Sequence, residues 1–351
     1  MTETPHAITT DCVRKSFRGR HGPVEAVRGV SIAVGPGEIF GLLGPNGAGK
    51  TTTLRMLTTL LPIDAGSATV AGFDVARHPR HVRERIGYVS QLGGADELAT
   101  GRENLVLQGR LYGAGVAGLK TRVDELIGVL DLSEFADRRV KTYSGGQRRR
   151  LDIGLGIVHR PDVLFLDEPT TGLDPQNRAN LWDHLRSLRD RGTTLFLTTH
   201  YLEEADVLCD RVVIMDHGEV VAEGTPRELK HRVAGDAVVI TVREVADAAD
   251  LVVPLFRREA HVREIVVEGD QVRLYVEDGS AALPQLLRLL DRERIGIRGM
   301  SLSEPTLDDV FLHQTGRSLR DAGAAHGTTT TSKDARDMND TRTDNDKEVA
   351  V

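Results

Sequence analysis

The stretch "FGLLGPNGAGKTTTLRML", Phe40 to Leu57, sets four glycines around one lysine and then gives way to apolar residues at helical spacing. Gly44, Gly49, Lys50 and Thr51 fit G-x-x-x-x-G-K-[ST], in which bare backbone amides wrap phosphate oxygens, the lysine reaches the outer phosphates and the hydroxyl holds magnesium. Glycines also serve tight turns, so the flanks decide the reading. "EIFGLL", Glu38 to Leu43, reads as a short buried strand, and Leu54, Leu57, Leu60 and Leu61 recur at helical spacing behind the loop. A helix N-terminus brings unpaired N–H groups and a positive partial charge, so loop and helix together make an anion site. The candidate phosphate-binding run is Gly44, Pro45, Asn46, Gly47, Ala48, Gly49, Lys50, Thr51 and Thr52, with Thr51 also a magnesium ligand.

Two further runs, "PDVLFLDEP" (Pro161 to Pro169) and "GTTLFLTTH" (Gly192 to His200), are apolar on both faces, as strands inside a parallel sheet are. Ligands of open α/β sheets collect at the carboxyl ends of the strands, which places Gly44, Asp167 and His200 on one edge of one sheet. Asp167 is expected to hold magnesium directly or through water, Glu168 to polarise an attacking water, and His200 to donate to a terminal phosphate. The plainer readings are an acidic turn closing a strand and a satisfied polar strand end; a phosphate loop in the same chain favours the chemical ones. "YSGGQRRRLDIGLGIVH" (Tyr143 to His159) puts a second glycine turn before a second amphipathic helix, another anion site by the same dipole argument. Two such turns meet one nucleotide if the intervening helical region folds back over the loop. Alternatively, two copies pack head to tail around two nucleotides.

With 351 residues, a net charge of -7 and 40% hydrophobic residues, the chain suits about two domains with proper cores. Its apolar runs, such as "VVIM" (Val212 to Met215), fall far short of the roughly 18 residues of a membrane helix, and "MTETPHAITTD" lacks the features of a secretory signal. The expected compartment is the cytoplasm. Cys12 and Cys209 stand far apart without metal-ligand spacing, as reduced structural thiols do.

From Ala7 to Leu43 the pattern predicts antiparallel strands leading into the loop. From Glu97 to about Asp137 it turns helical, with Leu105, Leu107, Leu111, Val123, Leu126, Ile127 and Leu130 as candidate core residues. After about Lys230 the order becomes β-α-β-β-α-β, suggesting a small ferredoxin-like module. In it "VADAADLVVPLF" is a helix cut short by Pro254, and a hairpin turns at Gly269 and Asp270. A short helix, "TLDDVFLHQTG", follows. From Asp321 onward too few large apolar residues remain to offset chain entropy, so a disordered tail is expected.

"GPNGAGKT", Gln91 in "YVSQ", "SGGQ", "VLFLDEP", "GLDP" and "TTH", in that order, resemble the ATP-binding cassette of ABC transporters over roughly Ala7 to Lys230. The resemblance implies an α/β P-loop NTPase fold, with a mainly parallel sheet, an antiparallel β subdomain and a helical subdomain at about 92–150, in a domain of residues 1–230. An α+β ferredoxin-like domain at 231–318 and a tail at 319–351 complete the expected organisation. The family implies ATP and Mg2+ as ligands and a homodimer in which Ser144, Gly145, Gly146 and Gln147 close over the partner's ATP, with Asp174 near the subunit seam. It assigns Gln91 to magnesium and to sensing the membrane partner, and Phe17 to adenine stacking, a core phenylalanine being the alternative. Catalysis falls to Glu168, His200, Lys50 and Gln91. Tyr143 stands where the family has leucine, a change expected to alter packing more than phosphate contact.

"SLSEPTLDDVFLHQTGR" (Ser301 to Arg317) and "KTYSGGQRRRLDIG" (Lys141 to Gly154) are similar to the daunorubicin/doxorubicin-resistance group of exporter ATPases. That implies an ATPase on the cytoplasmic face of the cell membrane, powering efflux of a drug, antibiotic or similar molecule through a separate permease that docks on the helical region around Glu97 to Asp137, next to Gln91. Lipid export, import, and work on nucleic acid or ribosomes are the alternatives. The last rests on a basic cluster of Arg138, Arg139, Lys141, Arg148, Arg149 and Arg150, for which a solvated helix face is the simpler account. No nucleic-acid partner is expected of so acidic a chain.

Overall fold

The computed structural model describes residues 6–19, 22–232, 236–243, 252–257, 262–293, 295–303, 305–316 and 318. The chain begins with β1 (Ile8–Gly19), β2 (Gly22–Val30) and β3 (Ala33–Val34), then β4 (Ile39–Leu43) runs into α1 (Lys50–Leu57). Next come β5 (Ala65–Val70), β6 (Phe73–Asp74), α2 (Pro79–Arg85) and β7 (Ile86–Val89). The helices α3 (Gly101–Leu111), α4 (Val116–Val129) and α5 (Gly145–Ile157) follow before β8 (Val163–Asp167), α6 (Pro175–Asp190), β9 (Thr194–Thr199) and α7 (Leu202–Leu208). After β10 (Arg211–Asp216), β11 (Glu219–Gly224) and α8 (Pro226–Arg232) the chain enters β12 (Asp236–Val242), α9 (Val253–Phe256), β13 (Val262–Glu268) and β14 (Gln271–Val276). It closes with α10 (Gly279–Arg292), β15 (Ile297–Ser303) and α11 (Leu307–Thr315).

Six strands form the central sheet in the order β11-β10-β4-β9-β8-β7, parallel except for β11 against β10. Every residue of β4, β8 and β9 is buried, which is why these strands read as unbroken apolar runs. Side chains still alternate between faces. Phe40, Leu42, Val163, Phe165 and Phe196 enter a core shared with α1 and the antiparallel sheet β2-β1-β5-β6, in which β3 also pairs with β1. Ile39, Leu43, Leu164, Leu166, Leu195 and Leu197 enter the opposite core, beneath α3 to α6. The register pairs Leu43 with Thr199 and Asp167 with Thr198, so the carboxyl ends of the parallel strands share one edge.

The helical segment departs from its sequence reading. Leu105, Val123, Leu126, Ile127 and Leu130 are buried, but Leu107 is 55% and Leu111 73% exposed. The buried face of α3 is Gly101, Asn104, Leu105 and Gly109. At ~100° per residue, Leu107 and Leu111 lie roughly opposite Leu105. Two other helices also differ. α1 stops at Leu57, leaving Leu60 and Leu61 beyond it. α5 is buried on all sides from Leu151 to Ile157, because β7, α3 and α6 surround it, so its second half is not amphipathic.

The C-terminal strands pair antiparallel as β13-β14-β12-β15, the ferredoxin-like order, with Gly269 in left-handed conformation (φ 61°) at the β13–β14 turn. Pro254 sits in the first turn of α9, where a missing N–H costs nothing. The rest of the stretch expected to be helical, 245–251, and the tail 319–351 lie outside the described residues. Leu307, Val310 and Phe311 of α11 join the core beneath α3 to α6 together with Leu229, Ala205 and Leu208. Asp309 of α11 accepts from Arg273 (3.0 Å) and Tyr275 (2.5 Å) of β14. Among the described residues no helix is long and apolar enough to cross a membrane. Cys12 is exposed on β1, whereas Cys209 is buried after α7 with its sulfur against Gly41 of β4.

Candidate nucleotide site

The loop between β4 and α1 turns through Gly49 at φ 100°, a conformation that costs a side-chain-bearing residue heavily, and a Cβ there would lie 2.4 Å from the Ala26 carbonyl oxygen. Lys50 opens α1 and is buried. Its Nζ donates to the carbonyls of Gly44 (2.7 Å) and Pro45 (3.0 Å), curling the ammonium into the loop. Burial pulls its pKa below the ordinary lysine value, against the carboxylates of Glu168 and Asp167. An ammonium so desolvated, with neutral carbonyl partners, suits an anionic ligand.

Asp167 ends β8 and collects two hydroxyls on Oδ1, Thr51 at 2.9 Å and Thr198 at 2.7 Å. Glu168 follows in left-handed backbone conformation (φ 46°), its N–H donating to both the carbonyl and the Oγ1 of Thr198 at 3.1 Å. Its carboxylate accepts from Gln91 Nε2 (3.0 Å) and Thr171 Oγ1 (3.2 Å), and its Oε1 lies 3.3 Å from His200 Nδ1. Burial pushes the Glu168 carboxyl up. His200, Lys50 and Thr171 outweigh that and hold it below its usual range. The structure thus brings Lys50, Thr51, Gln91, Asp167, Glu168 and His200 together through named contacts at one sheet edge. Among the described residues no three His, Cys, Asp or Glu side chains gather as a metal cage. The oxygens of Thr51 and Asp167 instead form the sparse hard-ligand set that magnesium takes alongside phosphates.

The remaining predicted residues stand apart from that group. Ser144 caps α5 in a reciprocal box with Gln147, accepting from its N–H at 3.3 Å while Gln147 Oε1 accepts from the Ser144 N–H at 3.0 Å. Ser144 and Gly145 are exposed. Gly146 is buried, and a Cβ on it would come within 2.4 Å of Asn177 Oδ1. Asp174 caps α6 by accepting from Asn177 N–H at 2.9 Å. Phe17 is 41% exposed on β1, which removes the core-phenylalanine reading. Tyr143 donates to the Phe135 carbonyl at 2.7 Å and meets the Phe135 ring edge-on, a packing role away from the cap.

Sequence reasoning missed Thr198 and, more consequentially, Arg149. The basic run containing it does not form one solvated face. Arg149 is buried, Arg148 pairs with Glu97 (2.7 Å), and Arg150 donates to the carbonyls of Leu130 and Asp131. A signal was available, since Gly146, Arg149 and Ile153 fall on one helical stripe and all three are buried.

Comparison with known proteins agrees with this geometry. A family model described as "ABC transporter" matches residues 27–171, and one described as "ATP-binding protein DrrA1-3-like, C-terminal domain" matches residues 224–315. The daunorubicin resistance ATP-binding protein DrrA2 of Streptomyces coeruleorubidus is 44% identical over 319 residues, 91% of this chain and 98% of the relative. The daunorubicin/doxorubicin resistance ATP-binding protein DrrA of Streptomyces peucetius is 44% identical over 322 residues, 91% and 96% of the two chains. A solved ATP-binding subunit of an ABC transporter superposes with TM-score 0.57 at 26% identity, covering 64% of this chain and 92% of its own. The chain therefore belongs to the ATP-binding proteins of ABC transporters, in the group of the daunorubicin/doxorubicin resistance ATPases.

Proposed function

We propose that this chain is the ATP-hydrolysing subunit of an ABC exporter, driving a drug, antibiotic or similar hydrophobic molecule through a separate permease at the cytoplasmic face of the cell membrane. The observation that carries the hydrolytic part is the contact set around Glu168, where one depressed carboxylate is held between Gln91, Thr171 and His200. In this reading Gly44 to Thr52 cradle the phosphates, Lys50 moves from its loop carbonyls to the phosphate oxygens, and Phe17 stacks on adenine. Glu168 orients the attacking water and takes its proton, and His200 donates to the terminal phosphate. Bound magnesium supplies charge neutralisation on the phosphates, with Thr51, Asp167 and the Gln91 amide oxygen as its protein ligands. Ser144, Gly145, Gly146 and Gln147 serve the ATP of a second copy packed head to tail, with Asp174 at the seam; the exposure of Ser144 and Gly145 supports this.

The export part rests on the names of the relatives, on the C-terminal match, and on exposed apolar side chains of the helical segment that follows Gln91 in the chain. Leu92, Leu98, Leu107 and Leu111 are exposed, as side chains that meet a membrane partner need to be. Purified Glu168→Gln is expected to keep ATP binding and lose turnover by about 10²- to 10⁴-fold. Wild-type hydrolysis in that variant removes Glu168 from its role. Drug tolerance of cells expressing the chain with its neighbouring membrane protein, against Lys50→Ala as control, tests the substrate class. Equal tolerance of both across a broad antibiotic panel defeats drug export and leaves the ATPase intact.

A further inference from the structure

Arg149 lies one turn inside α5 with its guanidinium donating to three main-chain carbonyls from two separate segments. Nε reaches Pro169 at 2.6 Å, Nη2 reaches Asp167 at 3.1 Å, and Nη1 reaches Ser90 at 2.7 Å. The first two flank Glu168, and the third precedes Gln91. Three residues along the same helix, the buried Asp152 accepts from the Gly94 N–H at 3.0 Å. Between these anchors the chain closes on itself, with Gly93 N–H donating to the Ser90 carbonyl at 3.2 Å and Ser90 Oγ donating to the Gly93 carbonyl at 2.9 Å. Gln91 is thus carried on a short turn held at its start by a guanidinium and at its end by a carboxylate.

We propose that Arg149 and Asp152 are positioning residues that fix the reach of Gln91 to Glu168, an inference that rests on the ATPase reading above. A planar fork with five N–H donors fits three divergent carbonyls, which a lysine ammonium on a flexible stem cannot hold at once. Burying a guanidinium with no carboxylate in direct contact is costly, and burial draws its pKa down here while Asp152, Glu204 and Asp167 oppose the shift. A structural fold-stabiliser is better served by an apolar side chain at this stripe position. The geometry instead ties both sides of Glu168 and the root of Gln91 to one rigid group, so the Gln91 Nε2 to Glu168 Oε2 contact at 3.0 Å depends on it.

The test uses the full-length protein and ATP with magnesium. Arg149→Gln is expected to lower kcat about tenfold or more and to leave ATP affinity, read with a fluorescent ATP analogue, within about threefold. In a Gln91→Ala background the same change is expected to cost severalfold less than in the wild type, because one of the two groups it positions is already gone. Multiplicative losses in the double variant, or an unchanged kcat with a lowered Tm, overturn the proposal. If Arg149→Gln does not fold, Asp152→Ala, which frees Gly94 and spares the guanidinium, is held to the same two criteria with the same consequences. Absence of ATPase activity in the wild-type chain defeats the parent reading, whereas an active wild type with additive variants defeats this inference alone.

Discussion

At the residue scale, Glu168 occupies a left-handed backbone conformation that costs a non-glycine residue about 1–3 kcal/mol. Thr198 takes its N–H and Arg149 takes the carbonyls on either side, so the turn is held from three directions. The result is a carboxylate aimed away from the strand beside the Lys50 loop. A second buried carboxylate, Glu204, sits in α7 and accepts from Trp182 Nε1 at 3.2 Å. Burial raises its pKa above the ordinary carboxyl value. A folded pKa above the unfolded one means that the protonated form suits the fold. Its stabilising contribution is full below the ordinary carboxyl range and is lost as pH climbs through the raised value. Glu204→Gln keeps an acceptor for Trp182 and removes the charge. Its Tm is expected to rise relative to wild type with increasing pH, the gap closing at acid pH; a gap independent of pH would refute the assignment.

At the element scale, the strands were legible because β4, β8 and β9 combine short length with burial on both faces. Helical faces were harder. A sequence period shows which residues share a stripe but not which stripe meets the core, so Leu107 and Leu111 were placed inside while Arg149 was placed outside. The exposed leucines carry a prediction. Leu107→Asp with Leu111→Asp is expected to leave Tm and purified ATPase activity nearly unchanged and to abolish drug tolerance in cells that also make the permease. Retained tolerance would move the docking surface elsewhere. Tyr143 offers a contrast, since Tyr143→Phe removes the bond to the Phe135 carbonyl and keeps the ring. A loss of about 1 kcal/mol in denaturant unfolding is expected, with ATP affinity unaltered.

At the scale of the whole molecule, Lys50, Asp167, Glu168 and His200 gather at one sheet edge, and they were readable because the runs that carry them end or follow β4, β8 and β9. Contacts made through the main chain, such as those of Arg149 and Asp152, left little trace in residue identity because any residue supplies a carbonyl or an N–H. The cap of α5 is exposed, as the proposed head-to-tail pair requires. Glu168→Gln with ATP and magnesium is expected to elute as a dimer in gel filtration and as a monomer without nucleotide, whereas Ser144→Arg in the same background prevents the shift. A monomer under all conditions would rule out the head-to-tail pair. The contrasting burial of the two thiols gives the molecule a practical asymmetry. A maleimide reagent meets Cys12 on the antiparallel sheet, while the sulfur of Cys209 is walled in against β4. The native chain therefore accepts a single spectroscopic reporter on its β-rich lobe without any engineered cysteine, and a second incorporated label records an opening that uncovers Cys209.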